Sequence, residues 1–314
     1  MKYLIRAAIV LALSLAATTL SAQFFQRSRT GKPAVFEFLD VGQGDSILIR
    51  SPEGKTALID AGTSTHVVQT LKRLGISSLD LVVVSHHHSD HYGGMHAVIE
   101  QFHPKYFLAS NRSHTTSLYL KLLKEVRDQG IQTIYPTERA RKIELGSLVL
   151  TVFPQPPEDK KEENNNSIGI RVDDGAVSLL LTGDSEETER QWWIQTCPNL
   201  IRNAQILKLA HHGSRNGTDA HWLDLVKPEV AVASVGTGND YGHPHRETLS
   251  LLASYRIPLK RTDESGTVTI ESDGRRWQLL PSQVADRPEP EEHRKRTRRP
   301  SRAAEDEPVE SRRR

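Results

Sequence analysis

Four of the most apolar runs in this chain end directly in histidine or aspartate. LVVV leads through Ser85 into HHHSDH, and LLLT leads into Gly183-Asp184. ILKLA leads into HHGS, and VAVASVG leads into GNDYGHPH. Near-continuous Val, Leu and Ile runs of this length read as strands covered on both faces. A strand of that kind needs a second apolar layer on each side, which confines the chain to a layered α/β structure. In such folds sites form where strand ends meet loops. Four polar clusters at four strand ends therefore predict a single shared site.

The remaining pattern agrees with layers. VFEFLDV and SILIRS flank the glycine turn GQGD and predict a hairpin. Further hairpins are predicted about Gly146, about Asp174-Gly175 and in GTVTIESDGRRWQLL. Helical spacing marks HVVQTLKRLG, MHAVIEQF, TSLYLKLLKEVRDQG, EETERQWWIQT, DAHWLDLVKP and ETLSLLASYR. No repeat period shows, and strands and helices are mixed along the chain.

The two ends differ from this pattern. MKYLIRAAIVLALSLAATTLSAQ has two early cations, a short apolar run and then small residues, the layout of a secretory signal peptide over 1–22. Its apolar run is shorter than the ~20 residues of a spanning helix. An uncleaved anchor is the other reading, and either one predicts export. A linker is expected at 23–32, a folded domain over 33–281 and no integral membrane domain. From 282 to 314 the chain is rich in Pro, Arg and Glu and nearly free of large apolar residues, which predicts a disordered tail. Its HRKRTRR run suits phosphates or other acidic polymers, and a solvated tail without a partner is an equal expectation. Net charge is +2 over 314 residues, so total charge gives no argument for nucleic acid. Cys197 is the only cysteine, which excludes an intrachain disulfide.

The clusters carry their own chemistry. His86, His88, Asp90 and His91 fall within six positions and offer the donor types that borderline divalent metals take. In an extended segment His86 and His88 point one way and His87 the other. Asp90 and His91 sit where a helix begins, so the run offers two ligand pairs for two neighbouring metals. A carboxylate at Asp184 is placed to bridge them. Two such ions activate a water and stabilise charge on a phosphoryl or carbonyl oxygen. His211 or His212 is expected to approach the metals or the scissile group as a general acid, with the other structural. His243 is expected to complete the metal shell, in preference to His245. Ser214 reads equally as a substrate contact or a turn residue. Lys208, Arg215 and Arg112 are expected near strand ends, as phosphate contacts or as solvated charges. His66, His96, His103, His114 and His221 read as isolated.

These motifs resemble the metallo-β-lactamase superfamily. FLDVGQGDSILI, LIDAGT, SHHHSDHYGG, NNNSIGIRV, LLLTGD, LKLAHHGS, YGHPH and RTDESGTVTI stand in an order similar to the ComEC-like branch, over about residues 33 to 272. The resemblance implies a four-layer αβ/βα sandwich with mixed sheets and two metals at one edge. It implies His86, His88, Asp90, His91 and Asp184 as metal ligands and His243 as the late histidine. It places Asp45 near the site as a partner to a ligand histidine. Many superfamily members carry a third metal histidine shortly before the bridging aspartate. This chain has NNNS there, and Asn166 is a weak substitute, which puts the occupancy of one metal in question. Zinc is the expected ion and manganese the other. The expected function is an exported metal-dependent hydrolase, foremost a phosphodiesterase or nuclease acting on DNA through a metal-activated water. The rivals are a phosphocholine esterase, lactonase or β-lactamase-type enzyme on an extracellular substrate, and a non-catalytic metal-binding protein.

Overall fold

The computed structural model describes residues 31–281. The leader expected at 1–22, nearly all of the linker at 23–32 and the tail at 282–314 lie outside the described residues. Within them the strands are β1 (Ala34–Phe38), β2 (Ile47–Arg50), β3 (Thr56–Ile59), β4 (Leu81–Val83), β5 (Tyr106–Leu108), β6 (Gln132–Ile134), β7 (Arg141–Leu145) and β8 (Leu148–Val152). They continue with β9 (Ile170–Asp174), β10 (Val177–Leu181), β11 (Ile206–Lys208), β12 (Val230–Ala233), β13 (Leu259–Arg261), β14 (Val268–Ser272) and β15 (Trp277–Leu279). The helices are α1 (His66–Arg73), α2 (Ser89–Tyr92), α3 (Met95–Phe102), α4 (Ser117–Asp128), α5 (Glu187–Thr196), α6 (Pro198–Ile201), α7 (Ala220–Val226), α8 (Arg246–Ser254) and α9 (Thr262–Ser265).

One sheet runs β15-β14-β1-β2-β3-β4-β5-β6 and the other β13-β12-β11-β10-β9-β8-β7. The hairpins are antiparallel, with Phe36 opposite Ile49 and Leu179 opposite Val172. β3 to β6 and β10 to β13 pair in parallel, because a helix intervenes at each crossover. Phe36, Phe38, Val83, Leu150, Leu179 and Val232 fill the space between the sheets. Leu58 and Val82 pack outward on Leu71, Val98 and Phe102. Leu180 and Leu207 pack outward on Trp193, Trp222 and Leu252. The result is the four-layer αβ/βα sandwich with mixed sheets.

β4 shows why its sequence reads as it does. Leu81 and Val83 face the inter-sheet core, whereas Val82 and Val84 face the helices. A period of two with both faces covered leaves no polar position until the strand ends. Among the described residues, no helix is long and apolar enough to cross a membrane.

Candidate metal centre

The loop after β4 is fixed by backbone contacts before any side chain acts. Asp45 N donates to Asp90 O at 3.1 Å and Ala61 N donates to His91 O at 2.7 Å. The GQGD turn therefore lies against the histidine cluster. Gly44 has φ +131°, and a Cβ there would stand 2.3 Å from Asp90 O. Gly94 admits an equally close approach, since its Cβ would meet Ser64 O at 2.4 Å. His88 is extended (φ −89°, ψ 143°), and the chain turns helical at Ser89.

The loops after β4, β10 and β11 bring four donors together. One ligand atom each from Asp90, His91, Asp184 and His212 lies within 4.8 Å of the others. His91 Nε2 is 3.2 Å from Asp184 Oδ1. His212 Nε2 is 3.2 Å from Asp90 Oδ2 and 3.4 Å from Asp184 Oδ2. His86 and His88 stand beside this group, with His86 Nε2 3.1 Å from His88 Nδ1 and the His86 and His91 rings 4.1 Å apart.

A further set of residues orients these donors. Asp60, at the end of β3, lies 2.7 Å from His91 Nδ1 and accepts from Ser85 N at 2.7 Å and Ser85 Oγ at 2.6 Å. His212 Nδ1 is hydrogen-bonded to Ser234 O at 3.0 Å, with Asp45 Oδ1 3.3 Å away and itself 2.8 Å from Lys208 Nζ. A carboxylate or backbone carbonyl on one imidazole nitrogen aims the other at the centre, the arrangement that metal-ligating histidines take. Asp60 was missed in the sequence, although LIDAG repeats the signal of an apolar strand ending in aspartate. Its left-handed φ of 60° turns its carboxylate back onto β4.

The electrostatics follow from this packing. Burial opposes charge on His91, but Asp184 and Asp60 outweigh it and hold the imidazole charged well above the ordinary range. Burial likewise opposes ionisation of Asp184, and His212 and His91 hold its carboxyl well below the usual range. Asp90 sits at about 2, because the bond from His212 and the charge of His91 outweigh its burial. His86 is pushed well down by burial and by His91, so it presents neutral nitrogens. Asp184 Oδ1 and His91 Nε2 are buried and make no well-directed hydrogen bond. Orphaned buried donors of carboxylate and imidazole type fit a divalent cation.

Several expected residues have other places. His212, rather than His243, joins the four-donor group, because β11 ends closer to Asp184 than the loop after β12 does. His243 is buried beside the group and not within it, its ring 5.3 Å from that of His211 and its Nδ1 without a hydrogen bond. Burial, with His212 and His211 near it, lowers it to about 4. His245 Nδ1 accepts from Arg215 N at 3.0 Å, a loop contact. His211 Nδ1 lies 3.1 Å from Glu186 Oε1, and its Nε2 is 3.8 Å from Asp184 Oδ2.

Asn166 is not turned to the centre. Its amide meets Arg112, Asp159 N and O, and Glu163. Asn165 Oδ1 instead accepts from Glu186 N and Glu189 N, capping the start of α5 after Asp184. Ser214 is a turn residue, accepting at its carbonyl from Gly217 N and Thr248 Oγ1. Lys208 is buried against Asp45 and so is unavailable to a phosphate. Arg112 is bonded to Asn166 and Pro156 O, while Arg215 is exposed. His87 points away from the donors but is not idle. It is buried, 3.1 Å from Tyr119 Oη and 3.0 Å from Glu163 Oε1, and its ring stacks on His114.

Comparison with known proteins agrees with this architecture. The model of the metallo-beta-lactamase superfamily matches residues 39–237. The chain is 28% identical to ComE operon protein 3 of Bacillus subtilis over 258 residues, covering 74% of this chain and 32% of that one. It is 32% identical to Competence protein ComA of Neisseria gonorrhoeae over 236 residues, covering 73% and 31%. It is 30% identical to Recombination protein 2 of Haemophilus influenzae over 240 residues, covering 74% and 28%. The chain thus spans about a third of the length of these relatives. Among solved structures, the metallo-beta-lactamase fold protein YhfI of Bacillus subtilis superposes with TM-score 0.52 at 14% identity, covering 75% of this chain and 99% of that one. CmlA of Streptomyces venezuelae superposes with TM-score 0.53 at 14% identity, covering 79% and 54%. The strand-end clusters, the paired sheets and these matches have one reading: the chain belongs to the metallo-β-lactamase superfamily, in the ComEC-like branch of its metal-dependent hydrolases.

Proposed function

We propose that this protein is an exported phosphodiesterase that cleaves DNA. The observation that carries the hydrolytic part is the convergence of Asp90, His91, Asp184 and His212 within 4.8 Å. These four residues would hold one divalent ion, and His86 and His88 would supply donors for a second. When bound, such ions supply Lewis acidity, activating water and stabilising charge that builds at a phosphoryl oxygen.

The chain's own residues do the rest. Asp60 holds His91 in orientation, and the Ser234 carbonyl, with the Asp45 carboxylate beside it, holds His212. Glu186 fixes His211 through Nδ1, leaving Nε2 turned toward Asp184. From Nε2, His211 gives its proton to the leaving oxygen. DNA as substrate is supported by relatives named for competence and recombination. Export is supported by the charged, apolar and small-residue layout of residues 1–22.

Asp184→Ala tests the mechanism. Hydrolysis of DNA and of bis(4-nitrophenyl) phosphate should vanish, with bound metal measured in parallel. Full activity in this variant, with metal retained, would sink it. Phosphocholine esters, a lactone and nitrocefin belong in the same assay. Turnover of one of these, without turnover of DNA, would replace the substrate assignment.

A further inference from the structure

Resting on the phosphodiesterase reading, we propose that Tyr241 sets substrate specificity by stacking on a nucleobase beside the scissile phosphate. Tyr241 is 66% exposed, the most exposed large apolar side chain among the described residues. An exposed tyrosine alone means little. Its position gives it meaning. Its ring lies parallel to that of His243, with centroids 5.7 Å apart and an interplanar angle of 20°. His243 in turn lies 5.3 Å from His211, whose Nε2 is 3.8 Å from Asp184 Oδ2. A continuous row of rings therefore leads from the four-donor group outward to Tyr241.

The row stands on a fixed base. Asn239 Oδ1 accepts from His243 N at 2.9 Å, and Asn239 Nδ2 donates to His243 O at 2.8 Å and Gly236 O at 3.2 Å. The loop after β12 is thus closed beneath its exposed tip, and little order has to be gained on binding. The loop also meets its neighbour, where the backbone N of Arg215 donates to His245 Nδ1 and the exposed Arg215 guanidinium pairs with Glu247. An exposed aromatic face beside a positioned phosphate is how sequence-tolerant single-strand sites hold bases. A phosphodiester without a base has nothing to place on Tyr241.

The test uses the full chain loaded with manganese or zinc and two oligomers of equal length. One is oligothymidylate, and the other carries abasic tetrahydrofuran residues. The wild type should show a KM about tenfold lower for the base-bearing oligomer, the order of one base–aromatic stack. Tyr241→Ala should raise that KM about tenfold, leaving kcat and the abasic KM unchanged, and Tyr241→Phe should keep the preference. Equal KM for both oligomers in the wild type, or an unchanged preference in Tyr241→Ala, overturns the stacking role alone. Failure of the wild type to cleave either oligomer overturns the phosphodiesterase reading and the inference with it.

Discussion

At the scale of single residues, SHHHSDH divides its members by what each side chain meets. His88 is partly exposed and its ring meets that of His86, whereas His87 is buried between Tyr119, Glu163 and His114. Although it points away from the donors, its burial makes His87 more than a spacer, because truncation strips Tyr119 Oη of its hydrogen-bond partner and leaves Glu163 with only the bonds from the His87 backbone N and Asn166. His87→Ala should cost about 1–3 kcal/mol in urea unfolding, the range for stranding buried polar groups. His88→Ala should leave the unfolding midpoint of the metal-free protein nearly unchanged and lower both metal content and hydrolysis. Alternation along an extended segment was enough to separate the two directions in the sequence. What lies at the end of each direction was not, since Tyr119 and Glu163 are 32 and 76 positions away.

At the scale of elements, the strand ends were legible because an apolar run buried on both faces must stop where its loop turns polar. β4, β10, β11 and β12 each end at the cluster expected of them. The short β13, α6 and α9 were not legible, being three or four residues long and too brief to show a period. The resemblance placed Asp45 near the site, but the bond that fixes the β1–β2 turn against the histidine loop, from Asp45 N to Asp90 O, has no local sequence signal. That contact predicts the effect of Gly44→Ala. The new Cβ would be 2.3 Å from a backbone oxygen at φ +131°, so both partners must move. The variant should lose more than about 1 kcal/mol in urea unfolding and bind metal more weakly, as read by titration.

At the scale of the whole molecule, the site is a joint between two sheets. β3 and β4 of one sheet supply Asp60, Asp90 and His91, and β10 and β11 of the other supply Asp184 and His212. An ion held across the joint ties the halves of the sandwich together. Removing metal with a chelator should lower the melting temperature by several degrees, as about 3 kcal/mol is lost when free metal stands near 100 Kd. The gap should widen from about pH 6 to about pH 8. In the metal-free fold His91 and His212 are held charged well above the ordinary range. That stabilisation is complete at low pH and fades as pH rises through their raised values. Metal binding must displace the same protons, so it strengthens as pH rises. Calorimetry at several pH values, with and without chelator, checks both directions at once.

By itself the sequence determined the layers, the strand ends and the donor types, because hydrophobic periodicity and local spacing carry that information within a dozen residues. It also placed His86, His88, Asp90, His91 and Asp184 at one edge, through the order of motifs shared with the ComEC-like branch. Only the tertiary structure decided which late histidine enters the four-donor group. HHGS and YGHPH are equivalent as sequence, each offering two imidazoles after a buried strand. β11 lies next to β10 in the sheet, which seats His212 beside Asp184, and β12 lies one strand farther out, which leaves His243 buried behind His212 but outside the four-donor group. Strand order is set by how whole sheets pack, and no local stretch of chain records it.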